Sequence, residues 1–114
     1  MVINITKFFA IFDERRLDEV EQTLIQHGVK GFTLHPVRGR GHYFDSFNRD
    51  HLTKHIQMEV YTSADQSRLI AQLILDAAHM NVDSEGLVTI VSVNDLLWIH
   101  TKKSATDADF HIHM

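Results

Sequence analysis

Apolar positions divide the first half of the chain into a strand, a helix and a second strand. Residues 3–11 are apolar at both odd and even positions, a pattern typical of a central strand. Asp13 stands at a helix N-cap, apolar residues then recur at helical spacing, and Gly28 follows at the C′ position. Residues 30–37 predict the second strand, and Pro36 near its end indicates an edge strand or a strand terminus.

The second half of the chain repeats this order. Apolar and polar residues alternate over residues 55–61, which predicts a strand with one buried face. Ser63 and Gln66 match a capping box that opens a second helix with one continuous apolar stripe. A turn then leads to an apolar strand over residues 87–93, and residues 96–100 predict a short final strand.

The element order is βαββαβ with a short final strand, which predicts an α+β fold. Right-handed crossovers place both helices on one face of an antiparallel sheet, giving a ferredoxin-like sandwich over residues 1–101. The outward-facing Tyr61 and Trp98 predict that the uncovered sheet face is buried against other subunits. Residues 102–109, the first part of the C-terminal tail of residues 102–114, are polar and lack periodicity, so they are expected to be mobile unless the end of the tail is bound.

Composition narrows the class of protein. A chain of 114 residues has room for one domain with its own hydrophobic core. The absence of cysteine excludes disulfides, thiolate metal sites and cysteine nucleophiles, and it fits an intracellular protein. Lys and Arg are scattered and the net charge is -4, which argues against nucleic-acid binding. No apolar run approaches the ~20 residues of a membrane span, so we expect a soluble, cytoplasmic protein without direct membrane insertion.

A long polar loop with several aromatic residues joins the second and third strands at about residues 38–54. Gly39 and Gly41 allow the backbone to turn its N–H groups toward one point, and Arg38 and Arg40 supply planar cations suited to phosphate or carboxylate. The loop base therefore has the chemistry of an anion site. The alternative is a flexible hairpin loop with solvated charges.

Four segments along the chain together resemble the PII signal-transduction family, in register from about residue 3 to 101. They are GVKGFT (28–33), VRGRG (37–41), IQMEV (56–60) and DSEG (83–86). The resemblance implies a homotrimer that binds adenine nucleotides in clefts between subunits. It also implies that the long loop, called the T-loop in that family, contacts a membrane transporter or an enzyme. The protein would then be a regulator and not itself an enzyme.

The resemblance also assigns residues to the nucleotide site and to the partner surface. The adenine-side strand, the T-loop base, a strand carboxylate, the second nucleotide loop and the final strand contribute Gly31, Phe32, Thr33, Arg38, Gly39, Arg40, Gly41, Glu59, Val60, Ser84, Glu85, Gly86, Leu87, Trp98 and His100. Aromatic and basic residues of the T-loop, which have no core to join, are assigned to partner contact: Tyr43, Phe44, Phe47 and Arg49.

Three positions depart from the family pattern. Leu87 stands where other members carry a lysine, and Trp98 and His100 replace two arginines. Each lost cation removes a charge-assisted phosphate contact worth about 1.5–3 kcal/mol. The sequence is closer to divergent PII-like proteins associated with bicarbonate transporters, carboxysomes or metal-efflux systems. That resemblance implies that AMP or ADP is favoured over ATP and that bicarbonate is a further ligand.

Histidines near the end of the chain suggest a second function. In an extended strand His111 and His113 would project to one side, a spacing that can chelate a divalent cation. The alternative is a tail without a specific role, because short histidine tracts carry only a compositional signal. The rival hypothesis is therefore a metal-responsive PII-like protein. A third is a small ferredoxin-like enzyme that uses His100 or Glu59.

Overall fold

The computed structural model describes residues 4–37, 55–81 and 86–112. Its strands and helices occur in the predicted order and are β1 (Ile5–Asp13), α1 (Leu17–Gln26), β2 (Thr33–Val37), β3 (His55–Ser63), α2 (Ser67–Ala78) and β4 (Gly86–Val93). Short 3-10 turns at Glu14–Arg16 and Ala64–Gln66 lead into the two helices, and a third covers Asp107–Phe110. No helix in these described ranges is long and apolar enough to cross a membrane.

The strands form one antiparallel sheet of four strands in the order β2-β3-β1-β4. Even-numbered side chains of β1 and β3, such as Phe8 and Met58, point to one face and are fully buried. They pack with the apolar stripes of α1 and α2, which supply Val20, Leu24 and Ile70 to the same core. The ferredoxin-like prediction and the central position of β1 are therefore confirmed.

The ends of α1 follow the predicted capping chemistry. The Asp13 carboxylate accepts a hydrogen bond from the Arg15 backbone N–H at 2.8 Å, although the first turn is 3-10 rather than α. Gly28 has φ 87, a left-handed conformation that glycine adopts without a Cβ penalty. The Val29 N–H then donates to the Leu24 carbonyl at 3.0 Å and closes the helix.

The capping box predicted at the start of α2 is wrong. The Ser63 side chain makes no hydrogen bond to a backbone N–H of this turn. Its hydroxyl lies 2.7 Å from Asp65 Oδ1 and 3.0 Å from Gln66 Oε1. The Gln66 amide instead binds the backbone of Ile112, so the glutamine that the capping box needs is used by the end of the chain.

The short final strand predicted over residues 96–100 is also wrong, because these residues belong to a tight turn. Asp95 redirects the chain: its carboxylate accepts hydrogen bonds from the Leu96 N–H at 2.8 Å and the Ser104 hydroxyl at 2.9 Å. Trp98 and Lys103 are then joined by a backbone hydrogen bond of 2.9 Å. A single bridge pairs Leu97 with Ser104 instead of a strand.

The tail is held against the domain as far as residue 112, the case in which its mobility was not expected. Ala105 and Ile112 are buried, and Thr106 and Asp109 form a capping box on the 3-10 turn between them. Gln66, in the 3-10 turn that leads into α2, binds the end of the tail through the backbone of Ile112. The sequence did not identify this distant partner. Hydrophobic periodicity does not predict contacts between residues distant in sequence.

The second face of the sheet is not covered by the helices, as predicted, and it carries a charge cluster that spans three strands. Lys7 Nζ lies 2.7 Å from one Glu59 carboxylate oxygen, and His35 Nε2 lies 2.8 Å from the other. The ammonium group also lies 4.5 Å from the centre of the Phe9 ring. The hydrogen bond with Lys7 holds the pKa of Glu59 below its ordinary value, and the same bond raises the pKa of Lys7.

Replacing Glu59 is expected to change the acid limb of the stability curve. The pKa of Glu59 is lower in the folded than in the unfolded protein, so its ionised carboxylate stabilises the fold. This stability is present at a pH above the unfolded-state pKa and is lost as the pH falls through the folded-state pKa. Glu59→Gln should therefore lose less unfolding free energy than the wild type between about pH 7 and pH 3. Chemical denaturation at several pH values measures this. Gln57→Ala, an uncharged position on the same face, is the control, and an unchanged acid limb in Glu59→Gln would contradict the assignment.

Replacing Gly86 is expected to destabilise the sheet. Gly86 has φ 131, and a Cβ there would lie 1.8 Å from the Ile11 carbonyl oxygen. Gly86→Ala should cost at least about 1–3 kcal/mol of unfolding free energy from backbone strain, with the steric clash in addition. The matched control is Gly31→Ala, because a Cβ at Gly31 meets nothing within 4 Å. Equal denaturation midpoints for the two variants would contradict this role of Gly86.

Candidate functional site

A cavity of about 340 Å³ lies where the segment entering β2, the open face of β3 and the C-terminal segment meet. This volume is in the range of small-molecule sites. Its lining consists of residues 28–33, Glu59, Tyr61, Trp98 and residues 109–112. The cavity therefore brings together parts of the chain that are far apart in sequence.

The segment leading into β2 forms one side of the cavity because of how α1 ends. The left-handed Gly28 turns the chain out of the helix, and the buried Val29 anchors it against the core. Gly31 and Thr33 remain exposed beside the cavity, and in the described part of the chain no atom outside residues 30–32 lies within 4 Å of where a Gly31 Cβ would be. A flat ligand can thus approach the backbone closely at Gly31.

Aromatic rings form the opposite part of the lining. The Phe110 ring stacks on Trp98 with centroids 5.6 Å apart and an interplanar angle of 24°. The same ring lies 5.8 Å from the Tyr61 ring at 41°. The tail of the same chain thus partly covers Tyr61 and Trp98. The sequence had predicted that other subunits cover these side chains. The rings offer a flat apolar surface to a ligand.

Charged groups of both signs surround these rings. Glu59 is held by Lys7 and His35 in the cluster described above, and Asp109 lines the cavity from the tail. The Asp109 carboxylate accepts a hydrogen bond from the Thr106 backbone N–H at 3.0 Å, and this bond lowers the pKa of Asp109. The lining can therefore place a ring against apolar surface and polar ligand groups against charged side chains.

One pair at the edge of the cavity has the distance of a nucleophile and its base. The Ser63 hydroxyl lies 3.1 Å from His111 Nδ1. Ser63 is only 1% exposed, so no substrate can reach its oxygen in this conformation. The pair fastens the tail to the start of α2 and does not form a catalytic arrangement.

The structure brings together part of the nucleotide site assigned by resemblance. Cavity-lining residues among those assigned are Gly31, Phe32, Thr33, Glu59 and Trp98. Gly86 and Leu87 line a separate cavity of about 160 Å³ between β4 and the end of α2. Val60 lies in the core, and His100 is exposed in the turn that follows Trp98.

Several assigned residues lie outside the part of the chain that the structure describes. They are Arg38, Gly39, Arg40, Gly41, Tyr43, Phe44, Phe47, Arg49, Ser84, Glu85 and His113. Their roles at the T-loop base, in the second nucleotide loop, in partner contact and in metal binding stay predictions.

The tail was not predicted to line this cavity. Phe110 and Ile112, two large apolar residues in a mostly polar segment, were the available signal. His111, assigned to metal binding, lies with Nδ1 3.1 Å from the Ser63 hydroxyl and Nε2 3.3 Å from Gln66 Nε2. Over the described ranges no three His, Cys, Asp or Glu side chains are grouped so that they could hold a metal.

Comparison with known proteins gives matches over most of the chain. The family model "Nitrogen regulatory protein P-II" matches residues 5–103. The chain is 24% identical to a nitrogen regulatory protein P-II homolog of Arabidopsis thaliana and 27% identical to one of Oryza sativa subsp. japonica, covering 91% and 90% of this chain. It covers 59% and 52% of those proteins, so it spans about half their length.

A bacterial relative and a solved structure match over nearly their full lengths. The nitrogen regulatory protein P-II of Nostoc punctiforme is 27% identical, and the match covers 90% of this chain and 97% of that protein. A crystal structure of Arabidopsis thaliana PII bound to citrate superimposes with a TM-score of 0.75 at 23% identity, covering 90% of each chain. At this identity the superposition establishes the fold. Because the family model matches nearly the whole chain, this protein belongs to the nitrogen regulatory protein P-II family.

Proposed function

We propose that this protein is a cytoplasmic PII-like regulator, not an enzyme, that binds an adenine nucleotide in the larger cavity. Binding there would change how the T-loop engages a transporter or an enzyme. The observation that carries this proposal is the convergence of Gly31, Phe32, Thr33, Glu59 and Trp98, which come from three separate stretches of the chain. The resemblance to the PII family independently assigns each of these residues to the nucleotide site.

The chemistry of the cavity supports a base and ribose better than a triphosphate. The glycine at position 31 leaves room for a purine beside the backbone, and the aromatic rings offer an apolar surface. Trp98, which replaces an arginine of other family members, stacks on Phe110 and supplies a ring instead of a charge. This favours AMP or ADP over ATP. Bicarbonate would bind at the Arg38–Arg40 base of the T-loop, as its anion chemistry suggests.

The topology of the sheet supports binding between subunits. Gly31 leads into β2, whereas Gly86 and Leu87 begin β4, and these strands occupy opposite edges of the sheet. The two edges are separated by three strand spacings, about 14 Å in all. One nucleotide can contact Gly31 and also Gly86 and Leu87 most readily if Gly86 and Leu87 belong to a neighbouring copy of the chain. A homotrimer, in which the uncovered sheet faces pack together, would supply that copy.

The assembly is expected to be a trimer in solution. Static light scattering coupled to gel filtration should give a mass about three times the monomer's at micromolar concentration, because an uncovered half-apolar sheet face is costly to leave in water. A monomeric mass under the same conditions would contradict both the trimer and the intersubunit site.

Removing one cation from the T-loop base is expected to weaken nucleotide binding. Arg38→Ala or Arg40→Ala should cost about 1.5–3 kcal/mol of AMP or ADP affinity, the range of a charge-assisted hydrogen bond left unmade. Isothermal titration calorimetry with AMP, ADP, ATP and bicarbonate measures this. Arg68→Ala, an exposed position on α2, is the matched control. Wild-type affinities in both loop variants would remove the T-loop base from the site.

A further inference from the structure

The C-terminal segment forms one side of the larger cavity and is built into the fold. We call this segment, residues 107–112, the tail wall. The Ile112 side chain is 3% exposed and belongs to the main hydrophobic core. Phe110 lies against both Trp98 and Tyr61, and the segment from Asp109 to Ile112 lines the cavity.

Gln66 joins the tail wall to the rest of the domain by two hydrogen bonds. Gln66 Nε2 donates to the Ile112 carbonyl at 2.9 Å, and the Ile112 N–H donates to Gln66 Oε1 at 2.8 Å. The two residues are 46 positions apart, and Gln66 is 7% exposed. The side-chain N–H and C=O of this buried amide are both hydrogen-bonded, as in a pair of strand hydrogen bonds. Breaking these bonds would leave buried polar groups without partners, which costs free energy. The tail wall is therefore in place before any ligand arrives.

The position of Phe110 gives the tail wall its chemistry. Its stacking on Trp98 and its tilted contact with Tyr61 leave these rings as a continuous aromatic lining of the cavity. Nucleobases stack on aromatic side chains, and such contacts are insensitive to the number of phosphates. A site that has lost phosphate-binding cations can retain affinity in this way.

We propose that the tail wall is the base-binding surface of the cavity, with Phe110 stacking on the ring of the ligand and Gln66 acting as a positioning residue. This inference rests on the proposed nucleotide function and deepens it. Its consequence is that the base contributes much of the affinity. Adenosine, which lacks the phosphate, should therefore still bind measurably, within about 150-fold of AMP, the factor that a charge-assisted bond of up to about 3 kcal/mol produces when it is lost.

Fluorescence titration tests the ring contact directly, because Trp98 is the chain's only tryptophan and lies in the lining. Adenosine, AMP and ATP are each titrated into the wild type and into Phe110→Ala, Phe110→Leu and Phe110→Tyr. The Ala and Leu variants should weaken all three ligands by a similar factor of about fivefold or more, the size of one lost stacking contact. Phe110→Tyr should retain most of the wild-type affinity because it keeps the ring. Thermal unfolding identifies any variant that fails to fold.

A second pair of variants tests the positioning role without altering the aromatic lining. Gln66→Ala should speed amide hydrogen exchange over residues 107–112 and weaken adenosine and AMP together. Gln72→Ala, a matched glutamine on α2 whose amide contacts Asp76, should change neither property. This pair also keeps the proposal testable if Phe110→Ala does not fold.

These outcomes distinguish a failure of the tail-wall proposal from a failure of the proposed nucleotide binding. If Phe110→Leu binds adenosine and AMP within twofold of the wild type, the base-binding role of the tail wall is overturned. The proposed function then stays in place. Faster exchange in Gln66→Ala with unchanged affinity would overturn the positioning role. A wild-type protein that binds AMP but not adenosine would overturn base-dominated affinity, and one that binds no adenine compound would overturn both proposals.

Discussion

Strand β1 is hydrogen-bonded along both edges, to β3 and to β4, and its two faces contribute to the hydrophobic core and to the charge cluster. Its even-numbered side chains, including the fully buried Phe8, form the layer on which both helices pack. Its odd-numbered side chains face the other way, and among them Lys7 binds Glu59 on β3. One strand thus supports the hydrophobic core and also fixes a carboxylate of the candidate site.

The candidate site combines this rigid sheet with two less regular segments. The chain between Gly28 and Thr33 contributes open backbone, and the tail contributes aromatic surface. Both segments are anchored by one buried residue, Val29 in the first and Ile112 in the second. Stacking between Trp98 and Phe110 gives this part of the candidate site an apolar surface. The proposed function uses that surface for the ring of a ligand.

The sequence allowed prediction of those features that depend on local chemistry. Alternation over β3 and the helical stripes gave the elements, and Asp13 and Gly28 marked the ends of the first helical segment because their capping interactions involve near neighbours. The features that were missed depend on distant contacts. Gln66 was assigned to a capping box but binds Ile112, and the tail lacks periodicity yet is held by contacts that include this pair and the burial of Ala105 and Ile112. Resemblance identified part of the cavity lining but could not indicate that the tail completes it.

A crystal structure of the protein grown with AMP would show whether an adenine base occupies the cavity between the Gly31–Thr33 segment and Phe110. We expect density for the base within van der Waals distance of Gly31 and of the Phe110 ring, in the cavity of about 340 Å³. Density for the nucleotide beside Gly86 and Leu87, with this cavity empty, would rule out the proposed site.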